Sequence, residues 1–217
     1  MTKIRTVLCF GDSNTYGAVP TLARSGRHRF GPERRWPGIM RRQLGSGWDV
    51  VEEGQPSRTT VREDPIEGVH KSGLRALPIC LESHMPLDLV IVMLGTNDLK
   101  YRFAALPGDI ADSVEIVVRT IQRSEAGPGG VPPRVILVAP PAIQEVDWLA
   151  EMFQGGAAKS LVLAGLLRAV AERCGTPFID AGEFVESSAV DGLHLDSDAH
   201  RRLGIEVARA VQEAFAD

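Results

Sequence analysis

Ser13, Asp191 and His194 have the side-chain types needed to turn a hydroxyl into a nucleophile. A serine hydroxyl is weak at neutral pH until a neighbouring base takes its proton. Asp191 precedes His194 by three residues in Asp191-Gly192-Leu193-His194. On a turn, that spacing lets the carboxylate accept from one ring nitrogen and leaves the other to face the hydroxyl. The same carboxylate stabilises the imidazolium that forms on proton uptake. Gly54 and Asn97 would add a backbone amide and a side-chain amide to that of Ser13, all aimed at an oxygen that becomes negative. Each such donor typically removes about 3 kcal/mol from an acyl-transfer barrier. Every one of these residues also has a plainer reading. Ser13 lies among good helix caps, Asp191 could cap a turn beside an idle imidazole, and Gly54 and Asn97 suit ordinary turns.

The plainer readings weaken once the elements that carry these residues are placed. Five apolar runs read as strands: 4–10, 48–52, 87–94, 134–139 and 177–179. The third, Leu-Asp-Leu-Val-Ile-Val-Met-Leu, is nearly continuous, which indicates burial on both faces in a parallel sheet. Helical spacing covers 36–44, 73–84, 109–123, 158–174 and 198–215. In the fourth of these helices the periodic apolar residues are Leu161, Val162, Leu166 and Val170, and in the fifth Leu203, Val207, Val211 and Phe215. His84 ends a helix, where the dipole favours a cation, and His200 falls in the first turn of the last helix, where exposure is expected.

The alternating order predicts an α/β fold, a three-layer α/β/α domain on a five-stranded parallel sheet with right-handed crossovers. Sites in such sheets gather beyond the carboxyl ends of the strands. Ser13 follows the first strand, Gly54 the second, Asn97 the third and the Asp191–His194 segment the fifth. The loop Gly127-Pro128-Gly129-Gly130-Val131-Pro132-Pro133 joins a helix to a strand and reads as a surface loop.

At 217 residues the chain suits one domain, 1–217, large enough for a core without staples. Net charge is −4, which gives no reason to expect a nucleic-acid partner. Basic residues do cluster over 24–29, which reads as a solvated or subunit-facing loop. Three widely spaced cysteines suggest neither a disulfide framework nor a metal knuckle, and no leader or membrane span is visible. A cytoplasmic protein is the expectation. No cofactor or metal is called for by any clustered His, Cys or carboxylate set, and neither a Gly-x-Ser-x-Gly elbow nor a phosphate loop is present.

Taken in order, Gly11-Asp12-Ser13, Gly54, Gly95-x-Asn97-Asp98 and Asp191-x-x-His194 resemble the four sequence blocks of the SGNH (GDSL-type) hydrolases. Glu52-Glu53-Gly54, Arg58-Thr59-Thr60, Leu94-Gly95-Thr96-Asn97-Asp98, Phe153-x-Gly155-Gly156 and Asp191-Gly192-x-His194 look more narrowly like the bacterial arylesterase/acyltransferase branch, nearly end to end. The resemblance implies a flavodoxin-like SGNH fold and a carboxylic ester hydrolase with Ser13 as nucleophile, His194 as base and Asp191 as its orienting acid. It implies an oxyanion hole of Ser13, Gly54 and Asn97. It also implies small-molecule esters of short acyl chains or aryl alcohols, acyl transfer to alcohols or peroxide, and a homo-oligomer.

Asn14, Tyr16 and Gln55-Pro56-Ser57 depart from residues usual in that branch and bear on substrate preference. Asn14, Tyr16, Trp148 and Phe153 are the expected pocket residues, the last two from a long connection after the fourth strand. Three other readings remain open at this level. A carbohydrate or other small-molecule O-deacetylase would use the same triad. A non-catalytic binding module would share the fold, and a magnesium-dependent phosphate-handling, doubly wound domain would use Asp12 and Thr15.

Overall fold

In a computed structural model, described for residues 4–23 and 28–216, five parallel strands form one sheet in the order β2-β1-β3-β4-β5. The strands are β1 (Arg5–Gly11), β2 (Trp48–Gly54), β3 (Leu89–Met93), β4 (Arg134–Ala139) and β5 (Phe178–Asp180). The helices are α1 (Ser13–Tyr16), α2 (Trp36–Leu44), α3 (Gly73–His84), α4 (Pro107–Gln122), α5 (Asp147–Met152), α6 (Gly156–Cys174) and α7 (Ser197–Ala214). The expected strands and long helices are all present, with ends shifted by up to two residues. Periodicity places neither α1 nor α5, since four and six residues are too few to show one.

Alternation along β1 explains why its sequence is apolar throughout. Val7 and Cys9 point to one face, where α2 and α7 supply Trp36, Met40, Leu203, Val207 and Val211. Leu8 and Phe10 point to the other, against α3, α4 and α6, including Leu77, Val117, Leu163 and Leu167. Every residue of β3 is buried because it is central and covered on both sides.

Two expected packing assignments are corrected. On α6 the buried stripe is Ser160, Leu163, Leu167, Val170 and Ala171, while Leu161, Val162 and Leu166 face outward. This helix is apolar on two faces, so its spacing did not reveal which one meets the sheet. His200 is fully buried, not exposed. It lies on the same stripe of α7 as Leu203 and Val207, accepts the Trp36 N–H at Nδ1 over 3.3 Å, and meets the Phe30 ring edge-on. Burial pulls its pKa down to about 4, so it is a neutral core residue. Residues 24–27 of the expected basic loop lie outside the described residues.

The chain reverses its direction of travel across the sheet between β1 and β3. In open parallel sheets the crevice at that reversal is where ligands bind. Gly11 pairs with Gly54 on one side and Met93 on the other, so the segments after β1, β2 and β3 leave the sheet together.

Candidate active site

The turn after β1 is built around Asp12. Its carboxylate caps α1 by accepting the Asn14 N–H at 2.9 Å. The cap is therefore Asp12, and Ser13 is the first helical residue, with its hydroxyl released from capping. Burial pushes Asp12 up to about 6, against the opposing pull of the Asn14 N–H and of His194 and Arg58.

Asn14 does not line the pocket as expected. It is almost fully buried, donates to the Leu193 carbonyl at 3.2 Å and accepts the Leu195 N–H at 3.0 Å. One side chain thus brackets His194 from both flanks and locks its loop to the Ser13 turn. Within that loop Gly192 has φ 72°, and a Cβ there would lie 2.3 Å from the Gln144 carbonyl oxygen.

Asp191 is fully buried with each carboxylate oxygen doubly engaged. Oδ2 accepts His194 Nδ1 at 2.7 Å and the Thr21 N–H at 2.9 Å. Oδ1 accepts the N–H groups of Leu193 at 3.0 Å and His194 at 2.9 Å. Burial alone would raise this carboxyl, but the hydrogen bonds and charge of His194 and the Leu193 N–H outweigh it and hold it below the usual carboxylate range. With Nδ1–H donated to Asp191, His194 keeps Nε2 as a free acceptor.

Asn97 stands in the turn after β3, where Thr96 takes the cap position. Its Nδ2 donates to the Arg58 carbonyl at 3.1 Å and reaches Asp12 Oδ2 at 3.4 Å. Gly54 is pressed against α1, and a Cβ there would lie 2.1 Å from the Tyr16 nitrogen. Only glycine lets β2 end this close to the Ser13 helix.

Ser13, Asn97 and His194 line one cavity of about 140 Å³. Trp148, Leu149 and Met152 of α5, with Phe153 and Leu193, form its apolar wall, and Tyr16 lies beside Ser13. Trp148 Nε1 donates to the Leu22 carbonyl at 3.0 Å, which ties α5 to the 18–23 segment. Of the expected site residues, Asp191 reaches the cavity only through His194, and Gly54 and Asn14 are not on its wall.

The lining also has a polar part, made by Ser57, Glu67 and Lys100. Ser57 stands where the sequence places it, beside the pocket, while Glu67 and Lys100 carry no such expectation. Lys100 is buried, with Nζ 2.7 Å from Glu67 Oε1 and 3.2 Å from Asp64 Oδ2. Arg102 reaches the same Asp64 at 2.9 Å. Burial would raise Asp64, but the Glu67 and Ile66 N–H groups and Lys100 outweigh it and bring it to about 2. Partners more than 30 residues apart leave no local spacing signal, although Lys100 does follow Asn97 closely. Among the described residues no group of three His, Cys, Asp or Glu is placed to hold a metal ion, and no helix is long and apolar enough to cross a membrane.

Solved structures match the fold over nearly the whole chain. An aryl esterase of M. smegmatis is 39% identical, with 96% of this chain and 99% of that one covered at a TM-score of 0.91. Est24, a carbohydrate acetylesterase from Sinorhizobium meliloti, is 40% identical, with 97% and 100% covered at 0.93. A carbohydrate acetylesterase family member from the same organism is 34% identical, with 97% and 98% covered at 0.89. No curated protein sequence matches. Residues 9–202 match the model of the GDSL-like lipase/acylhydrolase family, and with its fold the chain belongs to that family, within the SGNH hydrolases.

Proposed function

We propose that the chain is a serine esterase acting on short-chain or aryl carboxylic esters. The observation that carries this is the 2.7 Å bond from His194 Nδ1 to Asp191 in a residue that lines the same cavity as Ser13 and Asn97. In this reading Ser13 Oγ attacks the ester carbonyl as His194 Nε2 takes its proton, and Asp191 stabilises the imidazolium. The Ser13 amide and the Asn97 side chain, from two residues that line the cavity, hold the oxyanion. The alcohol leaves with the proton from His194. Water, activated by the same imidazole, then releases the acid from Ser13.

A cavity of about 140 Å³ is well below the range of drug-sized pockets and fits a short acyl group. The Trp148–Phe153 wall suits an aryl leaving group. An acceptor alcohol or peroxide held against that wall would compete with water for the acyl group, giving transfer. The polar corner of Ser57, Glu67 and Lys100 favours a second reading, a polyhydroxylated leaving group such as a sugar acetate, in line with the two carbohydrate acetylesterase relatives.

The test is hydrolysis of p-nitrophenyl acetate by the wild type and by Ser13→Ala, with labelling by a serine-directed organophosphate. The expected result is activity and labelling in the wild type and loss of both in the variant. Activity that survives Ser13→Ala removes the serine from its role. A folded wild type that neither turns over nor labels favours a binding module.

A further inference from the structure

Ser13 and His194 stand on segments remote in the chain, helix α1 and the loop 191–195. The bond from Nδ1 to Asp191 fixes the imidazole within its own loop, but it does not set the distance from that loop to Ser13. Other bonds of the loop run to Thr21, Gln144 and Ser188, none of them on α1. Among the described residues, the hydrogen bonds that join α1 to the loop are the two made by the side chain of Asn14.

Asn14 follows Ser13 directly and is 1% exposed. Its own N–H is held by the Asp12 carboxylate, which fixes the backbone on which both side chains stand. Its Nδ2 donates to the residue before His194 and its Oδ1 accepts from the residue after, across 179 and 181 positions of sequence. Both ends of the amide are used, which offsets its desolvation. An apolar side chain of similar size could fill the same space. It would not fix the direction of approach, since apolar burial is non-directional whereas a hydrogen bond has a preferred distance and angle. That direction matters to His194. Its ring must meet Ser13 Oγ, then the leaving alcohol, then water, each within a reach of about 2.6–3.2 Å. A misplacement of about 1 Å in such an arrangement can cost about 10²-fold in rate.

We propose that Asn14 is a positioning residue of the general base, holding His194 in register with Ser13 by gripping the loop on both sides of it. The inference rests on the esterase reading above. Asn14 is not on the cavity wall, so its loss leaves substrate binding in place and shows in the steps that move a proton. A residue that served packing alone would change the thermal midpoint and leave kcat of the folded enzyme as it was.

The experiment uses Asn14→Leu and Asn14→Ser in the full chain, each also combined with His194→Ala, with wild type, His194→Ala and Ser13→Ala alongside. kcat and KM for p-nitrophenyl acetate and thermal midpoints are read for each. Leucine removes both bonds, and the shorter hydroxyl of serine reaches at most one partner. In Asn14→Leu kcat is expected to fall by about 10- to 100-fold with KM within about twofold, and Asn14→Ser to fall between it and wild type. Loss of one triad member leaves a residual rate about 10³- to 10⁴-fold above water, which makes His194→Ala a usable background. There Asn14→Leu should change the rate by less than about twofold, because an effect that acts through His194 disappears with it. If Asn14→Leu does not fold, Asn14→Ser is read by the same criteria. Wild-type kcat in the folded variants, a loss confined to KM or the thermal midpoint, or an equal loss in the His194→Ala background overturns the proposal. Activity retained by Ser13→Ala would instead overturn the esterase reading, so the two failures are separate.

Discussion

The apolar layers that cover the two faces of the sheet and the polar rim at the carboxyl ends of its strands are held by different forces. Beneath the rim, side chains such as Leu89, Ile91, Val117 and Leu203 are fully buried and interact through area alone. At the rim, Asp12, Arg58, Asp64, Asp98, Lys100 and Asp191 are buried as completely. Their desolvation is offset only by specific hydrogen bonds and opposite charges. The layers tolerate solvent changes that leave apolar burial intact, whereas the rim responds to the loss of one partner or one proton. Stability is concentrated in the first region and chemistry in the second.

The sharpest test of that division is Asp191→Asn. It keeps size and burial but changes the hydrogen-bond pattern presented to His194 Nδ1. A loss of about 10⁴-fold in kcat is expected, with a far smaller change in thermal midpoint. A variant that lost stability and kept its activity would reverse the comparison.

In the layers the expected balance is the opposite. Leu163→Ala empties a buried position on α6 and should cost about 2–5 kcal/mol of unfolding free energy in urea, with kcat of the folded protein within a fewfold of wild type.

The pH dependence of stability separates the regions again. Burial pushes Asp98 up to about 6 despite two bonds from Thr60. It holds its proton more tightly folded than unfolded. Its contribution is therefore fully present below its ordinary value of 3.8 and is lost as pH rises through about 6. His200 acts in the reverse sense. Its folded value of about 4 lies below the ordinary 6.5, so its contribution is present above 6.5 and is lost as pH falls towards 4. Asp98→Asn should therefore gain stability over wild type as pH rises from 4 to 7, by on the order of 2 kcal/mol. Urea midpoints across that range measure it, and a difference that is flat with pH would remove Asp98 from the account.

The smallest effect belongs to Leu161→Ala. This residue is 74% exposed, and its loss should change unfolding free energy by less than about 0.5 kcal/mol. A cost near that of Leu163→Ala would show that the outward face of α6 is covered.

The central strands and the long helices were legible because their sequences carry a period or a continuous apolar run. The four segments after the strands were legible because order along the chain maps directly onto position in a parallel sheet. The Asp191–His194 pair lies within one turn, so its spacing already contained its geometry. His200 also carried a signal, three residues before Leu203 on one stripe, but its place in the first turn of the helix argued for the surface.

Other features had no such trace. The Lys100–Asp64–Glu67 cluster, the bracket of Asn14 around His194 and the bond of Arg58 to Gly11 join segments distant in sequence. Helix α6 is apolar on two faces, and only packing against α4 and the sheet selected Leu163 over Leu161. By itself, then, the sequence determined the layers, the order of the strands' loops and the identity of the hydroxyl, imidazole and carboxylate, all set by local periodicity and short spacing. The tertiary structure decided which helix faces are covered, which buried charges find partners and what lines the cavity. Those outcomes depend on through-space contacts between remote segments, to which no local pattern is sensitive.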